Sequence, residues 1–150
     1  MRTLTEYIVL HCSATPSTMD VTAKDIDRWH RERGFLKIGY HFFIRRDGTR
    51  EKGREINEAG AHVAGYNHKS VAVCMAGGSK HGAGNSDSWE AENNFTEAQW
   101  AMLYSTLKEL REFYPKAKIV GHTELDSRKA CPSFSVPGYM EEHPDLYPAK

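Results

Sequence analysis

Apolar and polar positions alternate along the chain in blocks that predict strands and helices in turn. Short apolar runs rich in β-branched residues are typical of buried strands. Four such strands are predicted, at residues 7–10, 39–46, 70–75 and 118–120. Asp47-Gly48 is a strong tight-turn signal and joins the second strand to residues 49–51, which predicts an antiparallel hairpin.

Two capping boxes mark the starts of helices. In each, a threonine is followed three residues later by a side chain that can reach back to the threonine backbone, Thr22 with Asp25 and Thr96 with Gln99. The first helix is predicted to run to about Arg33. In the second helix the apolar positions follow helical spacing. They are Trp100, Leu103, Leu107, Leu110 and Tyr114.

The interleaving of these elements predicts a fold of the α/β class. We expect a central mixed β-sheet flanked by about three α-helices, the third of them a short helix at residues 137–142. A chain of 150 residues suits one core, so we predict a single domain at residues 1–150. Residues 55–67 and 79–94 are rich in small or polar residues, and we interpret both as loops.

The composition argues against nucleic-acid binding, membrane insertion and a disulfide framework. Twenty basic and twenty acidic side chains cancel, so no nucleic-acid partner is expected. No apolar run reaches the ~20 residues that a membrane span needs, and no secretory signal is recognisable, so we expect synthesis in the cytoplasm without membrane insertion. Three cysteines argue against a disulfide framework. Cys12 and Cys74 lie in predicted strands and are interpreted as core residues, which leaves Cys131.

The candidate chemistry lies near the end of the chain. His122 and Cys131 are nine positions apart, with Lys129 two residues before the thiol. Imidazole and thiolate are ligands of zinc, whose catalytic sites use three protein ligands and keep one position open. His11, at the end of the first strand, is a candidate third ligand. The alternatives are surface histidines and a buried thiol that serves as a small apolar residue.

Five short motifs carry a resemblance to a known family. They occur in this order: His11-Cys12-Ser13-Ala14-Thr15, Gly39-Tyr40-His41-Phe42, Arg46-Asp47-Gly48, His62-Val63-Ala64-Gly65-Tyr66-Asn67 and Lys129-Ala130-Cys131-Pro132-Ser133-Phe134. Together they resemble the zinc-dependent N-acetylmuramoyl-L-alanine amidases of the T-odd phage lysozyme type, which are related to the animal peptidoglycan recognition proteins. The similarity spans residues 7–134, nearly the whole chain.

The resemblance implies a fold, a site and a substrate. It implies one zinc ion per chain, held by His11, His122 and Cys131, with Tyr40 and Lys129 as catalytic residues. The implied substrate is peptidoglycan, cut at the amide between the muramic acid lactyl group and L-alanine. The implied fold is that of the peptidoglycan recognition proteins.

Other residues receive secondary predictions. The resemblance places His62, Tyr66 and Asn67 along the substrate groove as substrate-binding residues, although Asn67 also suits a turn before the next strand. Trp89 is a candidate for stacking on a sugar ring. His41 follows Tyr40 on a predicted strand, where neighbouring side chains point to opposite faces, so we predict a structural role for it.

The chain departs from the family pattern in two places. The loop between His122 and Cys131 is one residue longer, with Asp126-Ser127-Arg128 before Lys129, and the N-terminus is shorter. A phage relative also binds its RNA polymerase, and that partner is not carried over to this chain.

Two other functions compete with the amidase. A peptidoglycan-binding module without catalysis is one alternative, although many such modules lack the cysteine ligand that Cys131 supplies here. A metal-free cysteine hydrolase with Cys131 and His122 is the other, and it leaves His11 without a task.

The resemblance also predicts where the protein acts. We expect a monomeric phage or prophage endolysin that is made in the host bacterial cytoplasm. It would reach the cell wall after a separate holin-type protein permeabilises the membrane.

Overall fold

The structure is a computed structural model, and it describes residues 2–81 and 90–150. Within these residues the strands are β1 Tyr7–Cys12, β2 Thr15–Pro16, β3 Phe42–Ile44, β4 Arg50–Lys52, β5 Ser70–Met75, β6 Gly78–Ser79 and β7 Lys118–Gly121. The helices are α1 Ala23–Glu32, α2 Glu97–Phe113, α3 His122–Leu125 and α4 Val136–Glu142, with short 3₁₀ turns at Asn67–Lys69 and Pro144–Leu146. Trp89, the predicted sugar-stacking residue, lies outside the described residues.

Five strands form one mixed sheet in the order β4-β3-β5-β1-β7. Strands β3, β5, β1 and β7 run parallel, and β4 pairs antiparallel with β3 through the hairpin at Asp47-Gly48. The prediction of an α/β fold with a central mixed sheet is therefore confirmed. The two short strands β2 and β6 form a separate parallel pair.

The sheet is buried on both faces, which explains why its central strands are apolar without interruption. On one face Ile8, Leu10 and neighbouring strand residues form a core with α2 and α4. On the other face Phe43 and Cys74 pack against Ile26 of α1. Side chains alternate between the faces along a strand, so β1 directs His11 to the α1 side, where Cys74 is its partner in register.

Both predicted capping boxes are present. The Thr22 side chain accepts a hydrogen bond from Asp25 N–H, and the Asp25 carboxylate accepts one from Thr22 N–H. Thr96 and Gln99 make the same reciprocal pair at the start of α2. The first helix ends where Gly34 takes a φ of +92°, a conformation that glycine adopts without strain.

The structure differs from the prediction at several elements. The short strands β2 and β6 were not predicted. The predicted strand at residues 39–46 is regular only over Phe42–Ile44, and at its predicted start the Gly39 carbonyl accepts the N–H of Ala61 from a loop. The one-turn helix α3 was not predicted either, and with it the described part of the chain has four helices where about three were expected. Its start is capped by Glu124, whose carboxylate accepts the Gly121 N–H at 2.8 Å.

The described residues contain no helix long and apolar enough to cross a membrane.

Candidate metal centre

His11 and His122 come together because of the register between β1 and β7. Leu10 lies opposite Gly121 in this parallel pair. The residues that follow them, His11 in β1 and His122 at the start of α3, therefore reach the same edge of the sheet. The two imidazole rings are 4.7 Å apart between centroids. The ends of neighbouring parallel strands are where α/β folds commonly collect functional groups.

Cys131 reaches the same place on the loop that follows α3. Ligand atoms of His11, His122 and Cys131 all lie within 4.8 Å of one another. The Cys131 Sγ is 3.7 Å from His11 Nδ1, close to the separation of about 3.6 Å that tetrahedral zinc geometry gives a nitrogen and a sulfur ligand. The three side chains therefore fit a metal ion of the zinc type by donor chemistry and by spacing.

The loop that carries Cys131 is held by close packing and by a backbone hydrogen bond. Pro132 Cδ would lie 2.9 Å from a Cβ placed on Gly121, so only a glycine at the end of β7 admits the loop. The Cys12 N–H donates to the Cys131 Sγ at 3.1 Å. Burial raises the pKa of the Cys131 thiol in the metal-free protein, and a bound cation would reverse this effect.

The two candidate histidine ligands are both held neutral. Burial lowers the pKa of His11 well below its usual value, and the nearby imidazoles of His62 and His122 lower it further. Burial, and then the positive charge of Lys129, lower the pKa of His122. A neutral imidazole keeps a free lone pair, which is the form that binds metals.

Tyr40 lies beside the cluster formed by His11, His122 and Cys131. Its ring centroid is 4.9 Å from that of His11. Burial raises the pKa of the Tyr40 phenol well above its usual value, so the hydroxyl remains protonated and able to donate a hydrogen bond at neutral pH.

Lys129 is exposed and close enough to influence His122. The backbone of its loop is tied by the Lys129 N–H, which donates to the Asp126 carbonyl at 3.0 Å. In the same loop Arg128 Nε lies 2.9 Å from Asp126 Oδ1, in an ion pair at the surface. This contact, together with a backbone hydrogen bond from Arg128, lowers the pKa of the Asp126 carboxyl to about 2.

The predicted substrate-binding residues occupy different positions. His62 Nδ1 lies 2.9 Å from His11 Nε2, and the other ring nitrogen lies 3.0 Å from Ser70 Oγ. Asn67 Oδ1 accepts the backbone N–H groups of His62 and Val63. The structure therefore brings His62 to the metal cluster, with Asn67 supporting its loop.

Tyr66 is not part of the cluster. Its ring packs edge-on against Tyr7 at 5.6 Å between centroids, at the beginning of β1, whereas His11 lies near the end of that strand. Tyr7 and His11 are four positions apart, about 13 Å along the strand. Substrate binding by Tyr66 stays a prediction.

Ser70, which contacts His62, was not among the site residues predicted from the sequence. This residue is fully buried at the start of β5 and is the single hydroxyl in that otherwise apolar strand. A lone polar residue in a buried strand needs a hydrogen-bond partner, and that was the available signal. The Cys12 backbone N–H was also missed, since no side-chain pattern reveals a backbone donor.

The fold and the site define a class of protein. A mixed sheet covered by helices places two histidines at the ends of neighbouring central strands, with a cysteine, a half-buried phenol and the loop of an exposed lysine nearby. This set of groups is typical of α/β hydrolases that use a metal ion.

Comparison with known proteins gives the family within that class. The sequence model of the N-acetylmuramoyl-L-alanine amidase family, Amidase_2, matches residues 2–134. The endolysin of Enterobacteria phage K11 is 47% identical over 137 residues, 91% of this chain and 86% of the relative. The endolysin of Escherichia phage T7 is 42% identical over 142 residues, 95% of this chain and 89% of the relative. The chain belongs to the N-acetylmuramoyl-L-alanine amidase family.

The solved structures agree with this assignment. The N-acetylmuramoyl-L-alanine amidase LysC from Clostridium intestinale URNW aligns with a TM-score of 0.76 at 25% identity, over 95% of this chain and 86% of LysC. The family match, the endolysin relatives and this neighbour support a peptidoglycan-cleaving amidase. The predicted resemblance, fold class and enzymatic activity are confirmed.

Proposed function

We propose that this chain is a zinc-dependent amidase that hydrolyses the bond between the lactyl group of N-acetylmuramic acid and L-alanine. One zinc ion per chain would be held by His11, His122 and Cys131. The observation that carries the proposal is the convergence of these three donors within 4.8 Å at the edge of the sheet. Zinc, when bound, supplies Lewis-acid polarisation of the substrate carbonyl and acidification of water.

Tyr40 and Lys129 supply the proposed proton and charge chemistry. The protonated Tyr40 phenol, next to His11, would orient the attacking water, and it could take a proton from the water as it gives its own hydroxyl proton to the leaving amine, because a phenol both donates and accepts. Lys129 places a positive charge at the exposed side of the cluster. There it stabilises the negative charge that develops on the carbonyl oxygen. The local ion pair between Asp126 and Arg128 holds the loop that presents this lysine.

The alternative of a metal-free cysteine hydrolase finds less support. The contacts of the Cys131 Sγ within the described residues are with Cys12 and His11, whereas that mechanism needs His122 as the base. Burial raises the pKa of the Cys131 thiol, which opposes the thiolate that a nucleophile requires.

The experiment is hydrolysis of purified peptidoglycan, followed by loss of turbidity and by release of new amino groups. We expect activity that thorough chelation abolishes and that added zinc restores. Cys131→Ser and His122→Ala should lose both zinc and activity. His68→Ala, which changes an exposed histidine outside the cluster, is the matched control and should retain both.

Three results would point elsewhere. Activity that survives complete chelation would refute the zinc mechanism. Binding of peptidoglycan without release of amino groups would support a recognition module. Loss of zinc in the His68 control would show that the binding is not specific to the proposed ligands.

The biological setting is a further part of the proposal. The relatives from phages K11 and T7 are named endolysins, and on this basis we propose that the chain acts on the host cell wall after release through a separate holin-type protein. We also propose that it has one catalytic domain at residues 1–150 and works as a monomer. Sedimentation analysis of the active protein would test whether it is a monomer.

A further inference from the structure

A chain of hydrogen bonds leads away from the proposed metal ligand His11 into the protein. His11 Nε2 lies 2.9 Å from His62 Nδ1, and His62 Nε2 lies 3.0 Å from Ser70 Oγ. The Ser70 hydroxyl in turn donates to the Tyr66 carbonyl at 2.8 Å. Ser70 is fully buried, so each of its polar contacts must come from protein atoms.

The direction of this chain follows from its two ends. His11 Nδ1 is the nitrogen that faces Cys131 Sγ, at 3.7 Å, so Nε2 is left to carry the proton and donate to His62 Nδ1. His62 then carries its own proton on Nε2 and donates to Ser70 Oγ. The Tyr66 carbonyl at the end of this series of hydrogen bonds can only accept. The series therefore has a single arrangement of donors and acceptors, which runs from His11 through His62 and Ser70 to Tyr66.

The surroundings of His62 hold its ring in this orientation. Asn67 Oδ1 accepts two backbone N–H groups, those of His62 and Val63, at 2.8 and 3.0 Å. A Cβ on Gly60 would lie 2.6 Å from His62 Cδ2, so the glycine creates the space that the imidazole occupies. Both nitrogens of His62 are engaged by the protein, and neither is left for a substrate.

We propose that His62 is a positioning residue that fixes the tautomer and ring orientation of His11 for metal binding, and that Ser70 fixes His62 in the same way. This inference rests on the proposed function, since it takes His11 as a metal ligand. Metal-bound histidines usually donate their second N–H to a protein acceptor, and loss of that acceptor typically weakens metal binding by about 10- to 100-fold.

The test compares His62→Leu with His62→Asn. The two replacements have nearly the same size and shape, but only the asparagine Oδ1 offers an acceptor near the position of the lost Nδ1. Zinc affinity is measured by competition with a chromophoric chelator, and the geometry of the site by the absorption spectrum of the cobalt-substituted protein. Circular dichroism and urea unfolding show whether each variant folds.

We expect His62→Leu to weaken zinc binding by about 10- to 100-fold and to alter the cobalt spectrum. His62→Asn should recover most of the affinity. Ser70→Ala, which keeps His62 but removes its partner, should fall between the wild type and the leucine variant, and it carries the test if His62→Leu does not fold. His68→Leu is the control for an exposed histidine and should bind zinc like the wild type.

The possible failures are distinct. A wild-type protein that binds no zinc would overturn the proposed function and this inference with it. Equal zinc affinity in the wild type and in His62→Leu would overturn the positioning role alone. A raised KM with unchanged zinc affinity and cobalt spectrum would instead assign His62 to substrate binding.

Discussion

His41 should make the protein lose stability in mild acid. The side chain is completely buried, and Nδ1 accepts the Ala72 N–H at 3.0 Å while Nε2 donates to the Glu58 carbonyl at 2.8 Å. The bond from Ala72 requires the neutral ring, because a protonated Nδ1 cannot accept. Burial is the largest cause that lowers the pKa of His41, and the charges of Arg2 and Arg54 add to it. The hydrogen bond to the Glu58 carbonyl and the charge of Glu58 raise the pKa, and the net value is about 4.

The magnitude follows from linkage between protonation and folding. The unfolded chain binds a proton at His41 with a pKa of about 6.5, whereas the folded protein does so only near 4. Between these values the unfolded state holds more protons, so stability falls as the pH falls. From pH 7 to pH 4 the loss from this one side chain is about 3 kcal/mol, of which about 2 kcal/mol is lost by pH 5.

The assay is urea unfolding of the metal-free protein from pH 4 to pH 8, for the wild type and for His41→Asn. Asparagine can still accept the Ala72 N–H but does not titrate. The variant should be less stable at pH 7 and should lose about 3 kcal/mol less on acidification. Other buried histidines, such as His30, titrate in both proteins and cancel in the difference. His68→Asn, at an exposed site, is the control and should follow the wild-type profile.

Parallel pH profiles for the wild type and His41→Asn would refute the reasoning, because they would show that His41 has the same pKa in the folded and unfolded chains.

Three other substitutions separate metal binding, catalysis and folding. Gly121→Ala places a Cβ 2.9 Å from Pro132 Cδ, so we expect weaker zinc binding in a folded protein; wild-type affinity in the chelator competition would contradict this. Lys129→Met should keep zinc but lower kcat by about 100-fold, and an unchanged kcat would remove Lys129 from the mechanism. Leu107→Ala deletes a fully buried side chain of α2 and should cost about 2–5 kcal/mol in urea unfolding; a loss below 1 kcal/mol would mean that the core repacks around the site.

The parts of the fold that were predicted correctly depend on residues that are close together in the sequence. Both capping boxes form because the threonine and its partner are three positions apart, and the Asp47-Gly48 turn forms because glycine accepts the φ of +89° found at Gly48. Helix α3 escaped prediction because a single turn shows no periodicity. The irregular start of β3 escaped because it depends on Ala61, which is distant in the chain.

The candidate site was predicted less evenly. Spacing made His122 and Cys131 a candidate pair, and the strand end made His11 a candidate third ligand, whereas the catalytic roles of Tyr40 and Lys129 came from the resemblance to a family. His62 was predicted to contact substrate, and its bond to His11 could not be foreseen, because two histidines 51 positions apart carry no shared local pattern.

The sequence by itself therefore determined the main strands and helices, the alternation that directs His11 to the α1 side of the sheet, and the residue types able to bind a metal. The tertiary structure decided which of these meet. The register that sets Leu10 opposite Gly121 joins His11 to His122, and the packing of Pro132 against Gly121 holds the loop of Cys131 beside them. Register and packing are long-range contacts, which local propensity does not encode, so they become visible only once the chain has folded.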